Sequence, residues 1–494
     1  MSLHTQKNSI RTCTAAVLGA AVVTGLTAPA GAQCNDWEAM PFVYNGTWDM
    51  DPFAVAHFQG QIYASGWSQP LLRLGNSEWH VVGPMDAITF LVHDGELYAG
   101  GTGGARRTVG GNDTQWEKFG QTSGSDIIYT KIEFEGDLIV GGGFNSIDGV
   151  AVNNVARWDG SQWHPMGNGL GDGGFNTAVW DFTIWNGWLV AVGAFTDSGG
   201  QPVHKVAVWE NNSWNPVGTG LIEGDVVRAV EVYKGQLVIG GRFTHAGGVP
   251  VNNLARYTGT PAWEPMLGGV GMGSHGNHSG VWDIEHFGND LIVVGAFNSV
   301  NGDPNMKCIA RWSDDPAAYG WHSMGIIQSL VRTALVAEDW LMISGAISPI
   351  NGDLLKKRVS RWRPAPPSFL EHPESLQIVD EGEQVTFTAS LGGLANSYWS
   401  YEWRRDGVPL AAANNGNATG YDSPMLTLTD VTEDDLGVYQ LRAFTSCGVS
   451  ESSAATLIVT PGPTMPSCPG DLNLDGAVNV SDLLLLLSNW GICP

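Results

Sequence analysis

The stretch Leu237-Val238-Ile239-Gly240-Gly241 is an apolar run that closes on glycine, and the chain repeats this pattern seven times between residues 33 and 365. The other copies begin at Ile62, Leu97, Leu138, Leu189, Leu291 and Leu341. Four or five apolar residues are too few for a helix and fit a buried inner strand. Successive runs lie 35 to 54 residues apart, which is the length of one four-stranded antiparallel blade. The repeat therefore predicts a β-propeller.

A tryptophan segment forms the second half of each repeat and is expected to open a short strand. The tryptophans are Trp37, Trp79, Trp116, Trp163, Trp214, Trp263 and Trp321. The segment at Trp37 has no apolar run before it, and the run at Leu341 has no tryptophan segment after it. Because an open array leaves unpaired backbone groups at its end, we expect the Trp37 strand to pair beside Arg361-Trp362 and close a ring of seven blades.

Turn signals and a longer phrase support the same architecture. Asp94-Gly95 and Asn186-Gly187 precede apolar runs and provide the positive φ of tight hairpin turns. The phrase Asn153-Asn154-Val155-Ala156-Arg157-Trp158 returns as Asn252-Asn253-Leu254-Ala255-Arg256-Tyr257. Residues 33–365 thus resemble kelch-like and related bacterial β-propeller repeats. The resemblance implies a seven-bladed propeller with an N-terminal closure strand, and it implies little about function.

Composition and charge narrow the class of protein. The chain has 494 residues, 66 of them glycine, and only 15% are charged, which is typical of a turn-rich all-β protein. The formal net charge is −25 and no basic patch stands out. Nucleic acid and anionic membrane surfaces are therefore not expected as partners.

The N-terminal 32 residues have the pattern of a secretory signal peptide. Lys7 and Arg11 precede the apolar segment 15–26, and Ala30-Gly31-Ala32 supplies a small-residue cleavage site. The apolar segment is too short to span a bilayer, and Gln33 disfavours a lipid anchor at Cys34. We expect a secreted or cell-surface protein without a transmembrane segment.

Five cysteines remain once the signal peptide is removed. Cys468 and Cys493 bracket the last module and are predicted to pair, which would stabilise it by about 3 kcal/mol. Cys34, Cys308 and Cys447 leave an odd number. Their pairing stays open, with Cys34–Cys308 as one option and a free thiol as another.

A second domain follows the stiff linker Pro364-Ala365-Pro366-Pro367. Residues 366–460 change to alternating strands, and they resemble bacterial immunoglobulin-like domains of the I-set kind. The resemblance implies a β-sandwich in which Trp403 is the core tryptophan and Tyr439 forms the tyrosine corner. Ala389 and Leu441 stand where the family has its bridging cysteines. Apolar packing alone is expected to hold this core. The domain is expected to act as a spacer, with ligand binding through its loops as the alternative.

The last module, residues 468–494 after a linker at 461–467, contains a calcium-loop pattern. Oxygen ligands are expected at the following positions, with the backbone carbonyl serving at the alanine: Asp471, Asn473, Asp475, Ala477, Asn479 and Asp482. Clustered carboxylates repel one another unless a hard cation neutralises them. A helix with five consecutive leucines, Leu483 to Leu487, follows. It cannot bury them all in so small a unit, so it is expected to dock on a partner.

This module resembles a single type I dockerin repeat. The resemblance implies calcium binding and a cohesin-like or cell-surface partner. Dockerins usually carry two repeats and only one complete copy is present, so attachment through another partner stays open. The predicted fold is an all-β seven-bladed β-propeller, then an immunoglobulin-like β-sandwich, then a small helical calcium-binding dockerin-like module.

No catalytic constellation is identified in the sequence. His275 and His278 lie in the longest loop between strands, 268–280, which is a candidate rim of a ligand site but has a flexible composition. Trp180-Asp181 and Trp282-Asp283 repeat, which favours a structural role, although two carboxylates can converge across a channel. The repeated arginines are predicted to have a structural role, as ion pairs or through packing of their side-chain stems, rather than a catalytic one: Arg157, Arg256, Arg311 and Arg361.

Three functions remain from the sequence. The first is a non-catalytic extracellular binding or surface protein, whose propeller loops recognise a glycan or protein. The second is a carbohydrate-active enzyme, a polysaccharide lyase or hydrolase, which requires clustered ionisable groups in the propeller channel. The third is a structural component of the cell envelope.

Overall fold

The computed structural model describes most of the chain after residue 35. The described residues are 36–40, 52–67, 69–75, 78–123, 126–221, 226–259, 263–266, 268–273, 275–316, 318–337, 340–347, 350–352, 358–392, 399–410, 416–445, 447–460, 470 and 478–488. The predicted signal peptide lies outside them. They are β-strands joined by turns, with three short 3-10 turns and one α-helix longer than a single turn.

The first strand, β1 (Trp37–Ala39), joins a sheet that is completed far along the chain. Consecutive strands build the first two full sheets, which are antiparallel. The first sheet contains β2 (Pro52–Phe58), β3 (Gln61–Gly66), β4 (Pro70–Leu74) and β5 (Trp79–Met85). The second contains β6 (Ala87–His93), β7 (Glu96–Gly101), β8 (Gly104–Val109) and β9 (Asn112–Gly120).

The next three sheets each carry a small hairpin between their second and third strands. The third consists of β10 (Ile127–Phe134), β11 (Asp137–Gly143), the hairpin β12 (Ser146–Ile147) and β13 (Val150–Ala151), β14 (Val155–Trp158) and β15 (Trp163–Pro165). The fourth consists of β16 (Val179–Trp185), β17 (Trp188–Gly193), the hairpin β18 (Asp197–Ser198) and β19 (Gln201–Pro202), β20 (Val206–Glu210) and β21 (Ser213–Pro216). The fifth consists of β22 (Val226–Tyr233), β23 (Gln236–Arg242), the hairpin β24 (His245–Ala246) and β25 (Val249–Pro250), β26 (Leu254–Tyr257) and β27 (Trp263–Pro265).

Two further sheets complete this part of the chain. The sixth consists of β28 (Val270–Met272), β29 (Gly280–Phe287), β30 (Asp290–Val300), β31 (Ile309–Ser313) and β32 (Gly320–Ser323). The seventh consists of β33 (Thr333–Ala337), β34 (Trp340–Ser344) and β35 (Val359–Trp362), with β1 at its edge. Trp37 stands opposite Trp362 and Glu38 opposite Arg361. The predicted pairing of the Trp37 strand is confirmed.

The sheets are arranged in a propeller-like domain. The first strand of each sheet contacts the first strand of the next, in the order β2, β6, β10, β16, β22, β29, β33, and β33 contacts β2 again. The glycine-ending runs form the second strands, as predicted, and Leu237 and Ile239 are fully buried between sheets four and five. Each such side chain contributes about 1.5–3 kcal/mol through burial. Three predicted strand starts are wrong, because Trp116, Trp214 and Trp321 lie inside their strands.

The repeated arginines form ion pairs, which is one of the two structural roles expected for them. Their carboxylate partners come from the same sheet in every case. The pairs are Arg157–Asp137, Arg256–Glu264 at 3.1 Å, Arg311–Asp290 at 2.7 Å and Arg361–Glu38 at 2.8 Å. The arginines therefore repeat because each one stabilises its own sheet through an ion pair.

The optional pairing of Cys34 with Cys308 is wrong. Cys308 is a free thiol and is buried, and its Sγ donates to the carbonyl of Phe297 at 3.5 Å. Burial raises the pKa of the Cys308 thiol to about 11. The predicted Cys468–Cys493 pair lies outside the described residues.

The immunoglobulin-like domain is a sandwich of short sheets. Its strands are β36 (Ser368–Glu371), β37 (Leu376–Asp380), β38 (Val385–Thr388), β39 (Ser390–Gly392), β40 (Ser400–Arg405), β41 (Val408–Pro409), β42 (Ala418–Thr419), β43 (Met425–Leu428), β44 (Gly437–Thr445), β45 (Gly448–Glu451) and β46 (Ala455–Thr460). The largest sheet has the order β37-β46-β44-β40-β41, with β45 paired to β44. The facing sheet has the order β38-β43-β42, and β36 pairs with β39.

The core residues of the sandwich follow the prediction. Trp403 is fully buried and its Nε1 donates to the carbonyl of Ser423 at 2.9 Å. The hydroxyl of Tyr439 donates to the carbonyl of Asp435 at 2.7 Å, which is the tyrosine corner. Ala389 and Leu441 are both buried in this core. Apolar packing fills the positions at which the family has a disulfide.

One α-helix, α1 (Val480–Ser488), follows the predicted calcium loop. Its five leucines, Leu483 to Leu487, are 42–59% exposed, so among the described residues nothing covers this face. None of the helices within the described ranges is long and apolar enough to cross a membrane.

Candidate functional site

A ring of side chains surrounds one end of a central cavity in the propeller-like domain. Six of the seven first strands have a register irregularity near their start, and one residue is skipped in the pairing each time. A bulge re-aims the side chain of the residue that it leaves unpaired. The skipped residues all line the same cavity of about 300 Å³, and so does Arg332, which directly precedes β33. The full set is Phe53, Ile88, Tyr129, Trp180, Arg228, Trp282 and Arg332. These seven are called the rim residues below.

Sequence reasoning missed the rim residues as a set, although a signal was present. Each rim residue stands nine positions before the first residue of its glycine-ending run, as Trp282 does before Leu291. The spacing holds in all seven copies while the residue type varies. A position that is fixed in the repeat but variable in chemistry is typical of a recognition surface carried on a repeated framework.

Aromatic rings form one wall of the site. Tyr129 stacks on Trp180 with centroids 4.2 Å apart and an interplanar angle of 22°. Trp180 meets Trp282 edge-on at 6.3 Å, and Phe53 meets Trp282 in the same way at 6.3 Å. The rings thus form a continuous apolar surface at the rim, and Trp180, Trp282 and Phe53 remain partly accessible.

Two guanidinium groups lie against this wall. The guanidinium of Arg228 is 4.8 Å from the Trp282 ring centroid, and that of Arg332 is 5.1 Å from it. Arg332 also lies 3.9 Å from the centroid of Phe53. These cation–π contacts hold both planar cations at the rim.

The loop that carries His275 and His278 borders the rim. His278 stacks on Trp282 at 5.9 Å with an interplanar angle of 22°. Within its described part the loop is more ordered than its composition predicts, because β28 pairs with β30 and a 3-10 turn spans Gly276–His278. Burial lowers the pKa of His278, and the charges of Arg332 and Arg228 lower it further. This loop therefore lies beside the cavity, and its role as the rim of a ligand site stays a prediction.

Asp181 and Asp283 follow the rim tryptophans and bridge neighbouring strands. Asp181 accepts the backbone N–H of Val230 at 2.9 Å, which links the fourth sheet to the fifth. Asp283 accepts the backbone N–H of Ala334 at 2.9 Å and the hydroxyl of Thr333 at 2.9 Å, which links the sixth sheet to the seventh. Each Asp also accepts the N–H of the next residue in its own strand at 2.8 Å. Both carboxylates therefore have a structural role in addition to lining the cavity.

The two carboxylates also converge electrostatically. Burial raises the pKa of Asp181 well above its ordinary range, and the charge of Asp283 raises it further. Burial raises the pKa of Asp283 to about 6, although three hydrogen bonds from the protein oppose the shift. From the sequence, it stayed open whether two carboxylates converge across a channel. In the structure, Asp181 and Asp283 line the same cavity.

Glu285 and Glu231 add further acidic groups to the cavity region. Glu285 lines the cavity two residues after Asp283 on the same face of β29. No hydrogen bond or ion pair joins its carboxyl to another described residue. Burial raises the pKa of Glu285 well above its ordinary range, and the charges of Asp283, Glu231 and Asp181 raise it further. Burial likewise raises the pKa of Glu231, which lies 3.7 Å from the imidazole of His286.

The amine of Lys131 lies in the same cavity and faces a backbone carbonyl. Its Nζ donates to the carbonyl of Thr89 at 2.6 Å, which links the second and third sheets. Burial lowers the pKa of Lys131 well below its ordinary range. The cavity therefore combines aromatic rings and guanidinium groups at its rim with hydrogen-bonding carboxyl and amine groups deeper inside.

The predicted calcium ligands are described only at the end of the loop. Asp471, Asn473, Asp475 and Ala477 lie outside the described residues. The carboxylate of Asp482 is buried and accepts the N–H of Asn479 at 2.8 Å. The amide oxygen of Asn479 accepts the N–H of Ser481 at 2.7 Å, so these two residues cap α1 reciprocally. Within the described ranges, no three His, Cys, Asp or Glu side chains are placed to hold a metal.

Two family models match parts of the chain. The immunoglobulin I-set domain model matches residues 367–459. A β-propeller domain of unknown function, DUF5122, matches residues 235–259, which begin at the turn before β23 and end just after β26. A search of curated protein sequences gives no match. The chain thus contains an I-set domain and a β-propeller region, and this combination fits an extracellular surface or binding protein.

Solved structures also resemble a fifth of the chain. A chimeric titin Z1Z2 carrying an exogenous decorin peptide is 29% identical, covering 20% of this chain and 96% of that one, with a TM-score of 0.17. The titin M10 and obscurin-like 1 immunoglobulin complex is 26% identical, covering 20% of this chain and 97% of that one, with a TM-score of 0.17. At these TM-scores the sandwich assignment rests on the family model and on the strand pairing.

Proposed function

We infer that the chain is an extracellular binding protein whose propeller binds a saccharide at the rim residues. The single observation that carries this function is the cavity of about 300 Å³ with an aromatic wall at one end and carboxyl groups behind it. Ligand pockets of this size combine apolar walls with a few converging polar groups. A sugar ring has the matching chemistry, because its C–H face packs on aromatic rings and its hydroxyl groups donate to carboxylates.

The seven sheets are proposed to form a closed seven-bladed propeller over residues 33–365. Cyclic contact of the first strands and the pairing of β1 with β35 support this architecture. β1 also contributes Trp37, which is 3% exposed and donates from Nε1 to the carbonyl of Met324 at 2.5 Å. Pairing of β1 covers the edge of β35 and gives the seventh sheet its fourth strand. A rigid ring is what holds seven rim residues at one end of the cavity.

The remaining domains are proposed to place and attach the propeller. A signal peptide at 1–32 directs secretion, the sandwich at 366–460 acts as a spacer, and residues 468–494 after the linker at 461–467 attach the protein to a cohesin-like or cell-surface partner. Calcium would be held by Asp471, Asn473, Asp475, Ala477, Asn479 and Asp482. The spacing of acidic and amide side chains in this loop supports the proposal, and the exposed leucines of α1 offer apolar surface to the partner.

A glycan array tests the proposed function. The wild-type protein is expected to bind a subset of oligosaccharides, and Trp282→Ala is expected to weaken binding about tenfold or more because it removes the ring at the centre of the wall. Trp188→Ala is the matched control, since Trp188 is 43% exposed at the start of β17, outside the cavity. Absence of binding to every glycan would refute the proposal, as would equal losses for the two variants.

A second candidate function is a carbohydrate-active enzyme, and the clustered ionisable groups favour it. Burial raises the pKa of Glu285, which has no described hydrogen-bonding partner, so it is suited to donate a proton to a leaving oxygen. Asp181 and Asp283 are less suited to proton transfer because backbone N–H groups occupy their oxygens. Release of new reducing ends or unsaturated products from a polysaccharide, lost in Glu285→Gln with binding retained, would establish this activity.

A further inference from the structure

The rim carries a concentration of basic groups that the chain as a whole does not have. Arg228 and Arg332 are rim residues that line the cavity, and His278 stacks on the rim residue Trp282. The chain has 49 acidic against 24 basic residues. No rim residue is acidic. Two arginines and a histidine at the rim are therefore a local departure from the overall composition.

The geometry fixes the two rim guanidiniums in place. Arg228 is 7% exposed, and its Nη1 donates to the carbonyl of Ser279 at 3.0 Å. Arg332 lies between the rings of Phe53 and Trp282. A guanidinium held against aromatic rings is restricted in its motion, so little conformational entropy is lost when it binds an anion. Such groups recognise planar carboxylates and the oxygens of sulfate esters.

The cavity behind the rim is lined by carboxyl groups and one amine. Arg228 and Arg332 belong to the rim, whereas Asp181, Asp283 and Glu285 follow the rim residues along their strands and line the same cavity together with Lys131. A cationic ligand would meet like charge at the rim, and a second anionic group would meet mostly carboxyl groups inside. A ligand with one anionic group and several hydroxyl groups matches both ends, because the hydroxyls can donate to the inner carboxylates.

We propose that the rim selects an anionic sugar, with its carboxylate or sulfate ester held by Arg228 and Arg332 across the face of Trp282. This inference rests on the proposed saccharide binding and adds the class of sugar. Because charged groups would supply much of the interaction, affinity falls as ionic strength rises.

The test compares three probes on the full-length protein by calorimetry. Oligogalacturonate carries carboxylates, a sulfated galactan oligosaccharide carries sulfate esters, and a dextran oligosaccharide carries no charge. At least one anionic probe is expected to bind about tenfold more tightly than dextran. Arg332→Gln and Arg228→Gln are each expected to weaken that probe about tenfold and to leave dextran binding within about twofold.

Matched variants separate recognition from folding. Arg107→Gln removes the same charge from an ion pair with Glu117 on the second sheet, away from the cavity, and is expected to leave binding unchanged. Arg332→Lys keeps the charge without the planar fork and is expected to weaken binding by an intermediate amount. Thermal midpoints that stay near the wild-type value show that the variants fold.

The outcomes distinguish the two proposals. Preference for carboxylate or for sulfate identifies which anion the rim prefers, and either preference supports the inference when the rim arginine variants remove it. Equal binding of dextran and both anionic probes overturns the inference and leaves the proposed saccharide binding intact. Absence of binding to all three probes and to the glycan array overturns both.

Discussion

At the scale of single residues, Glu285 sets how the cavity responds to pH. Burial and three neighbouring carboxylates raise its pKa, so the folded protein binds this proton more tightly than the unfolded chain does. The native state then binds more protons than the unfolded state, and this contribution to stability is lost as the pH rises. Below the pKa of an ordinary glutamate, about 4.3, both states are protonated and the contribution is fully present.

Glu285→Gln should therefore stabilise the protein at high pH. We expect the variant to exceed the wild-type free energy of unfolding by about 1 kcal/mol at pH 8, and we expect the difference to vanish near pH 4. Urea denaturation at both pH values measures this. Glu374→Gln is the control, because Glu374 is exposed and no ion pair joins it to another described residue, and its difference should not change with pH. If the difference in free energy of unfolding between Glu285→Gln and the wild type shrinks as the pH rises, the raised pKa of Glu285 is contradicted.

Cys308 occupies a left-handed backbone position that two other sheets fill with asparagine. Its φ is 64°, against 62° at Asn154 and 61° at Asn253. Asn154 accepts the N–H of Phe144 and Asn253 accepts the N–H of Phe243, both at 3.1 Å. Asparagine adopts positive φ more readily than most residues do, so the cysteine gives up a local hydrogen-bonding network.

Cys308→Asn should stabilise the fold. The new amide is expected to bond to the backbone of Phe297 and to raise the free energy of unfolding by about 0.5–1.5 kcal/mol. Cys308→Val should lower it by about 1–3 kcal/mol, because a β-branched residue is strained at positive φ. Chemical denaturation of both variants measures the effect. Equal stabilities for the Asn and Val variants would show that the positive φ at position 308 does not favour asparagine over a β-branched residue.

At the scale of elements, β1 joins the two ends of the propeller-like domain through polar and apolar contacts. Glu38 pairs with Arg361 at 2.8 Å and with Arg363 at 3.3 Å. Trp37 packs in the same core cluster as Trp362. Three paired residues thus connect chain segments more than 300 positions apart.

Glu38→Gln should lower stability more than the same change at an open surface. We expect a loss of about 1–2 kcal/mol, because two arginines lose a charged acceptor in a partly buried pair. Glu117→Gln removes the partner of Arg107 in a more exposed pair and is expected to cost less than about 0.5 kcal/mol. Urea midpoints measure both changes. Equal costs would contradict the view that β1 stabilises closure.

The C-terminal element is expected to respond to calcium through Asp482. Titration of calcium into the full-length protein should release or absorb heat with one site, and Asp482→Ala should abolish that binding because it removes a carboxylate ligand. Asp422→Ala, in the sandwich domain, is the control and should leave the titration unchanged. A flat wild-type titration would refute the loop assignment.

At the scale of the whole molecule, the sequence predicted what repeats and missed what varies. Glycine-ending runs, the Trp37 strand and the repeated arginines indicated buried strands, closure and ion pairs, because each depends on local pattern. The rim residues were not predicted, because Phe53, Trp180 and Arg228 share a position and no chemistry. The raised pKa of Glu285 was also out of reach, since it depends on residues from the fourth and fifth sheets that only the fold brings together.

The central claim is that the rim residues bind a sugar. A crystal structure of the protein soaked with the tightest-binding oligosaccharide tests it most directly. We expect density for a sugar ring packed on the aromatic wall at Trp282, with its anionic group within hydrogen-bonding distance of Arg228 and Arg332. Sugar density bound elsewhere, on the outer faces of the sheets or on the sandwich domain, with an empty rim, would contradict the claim.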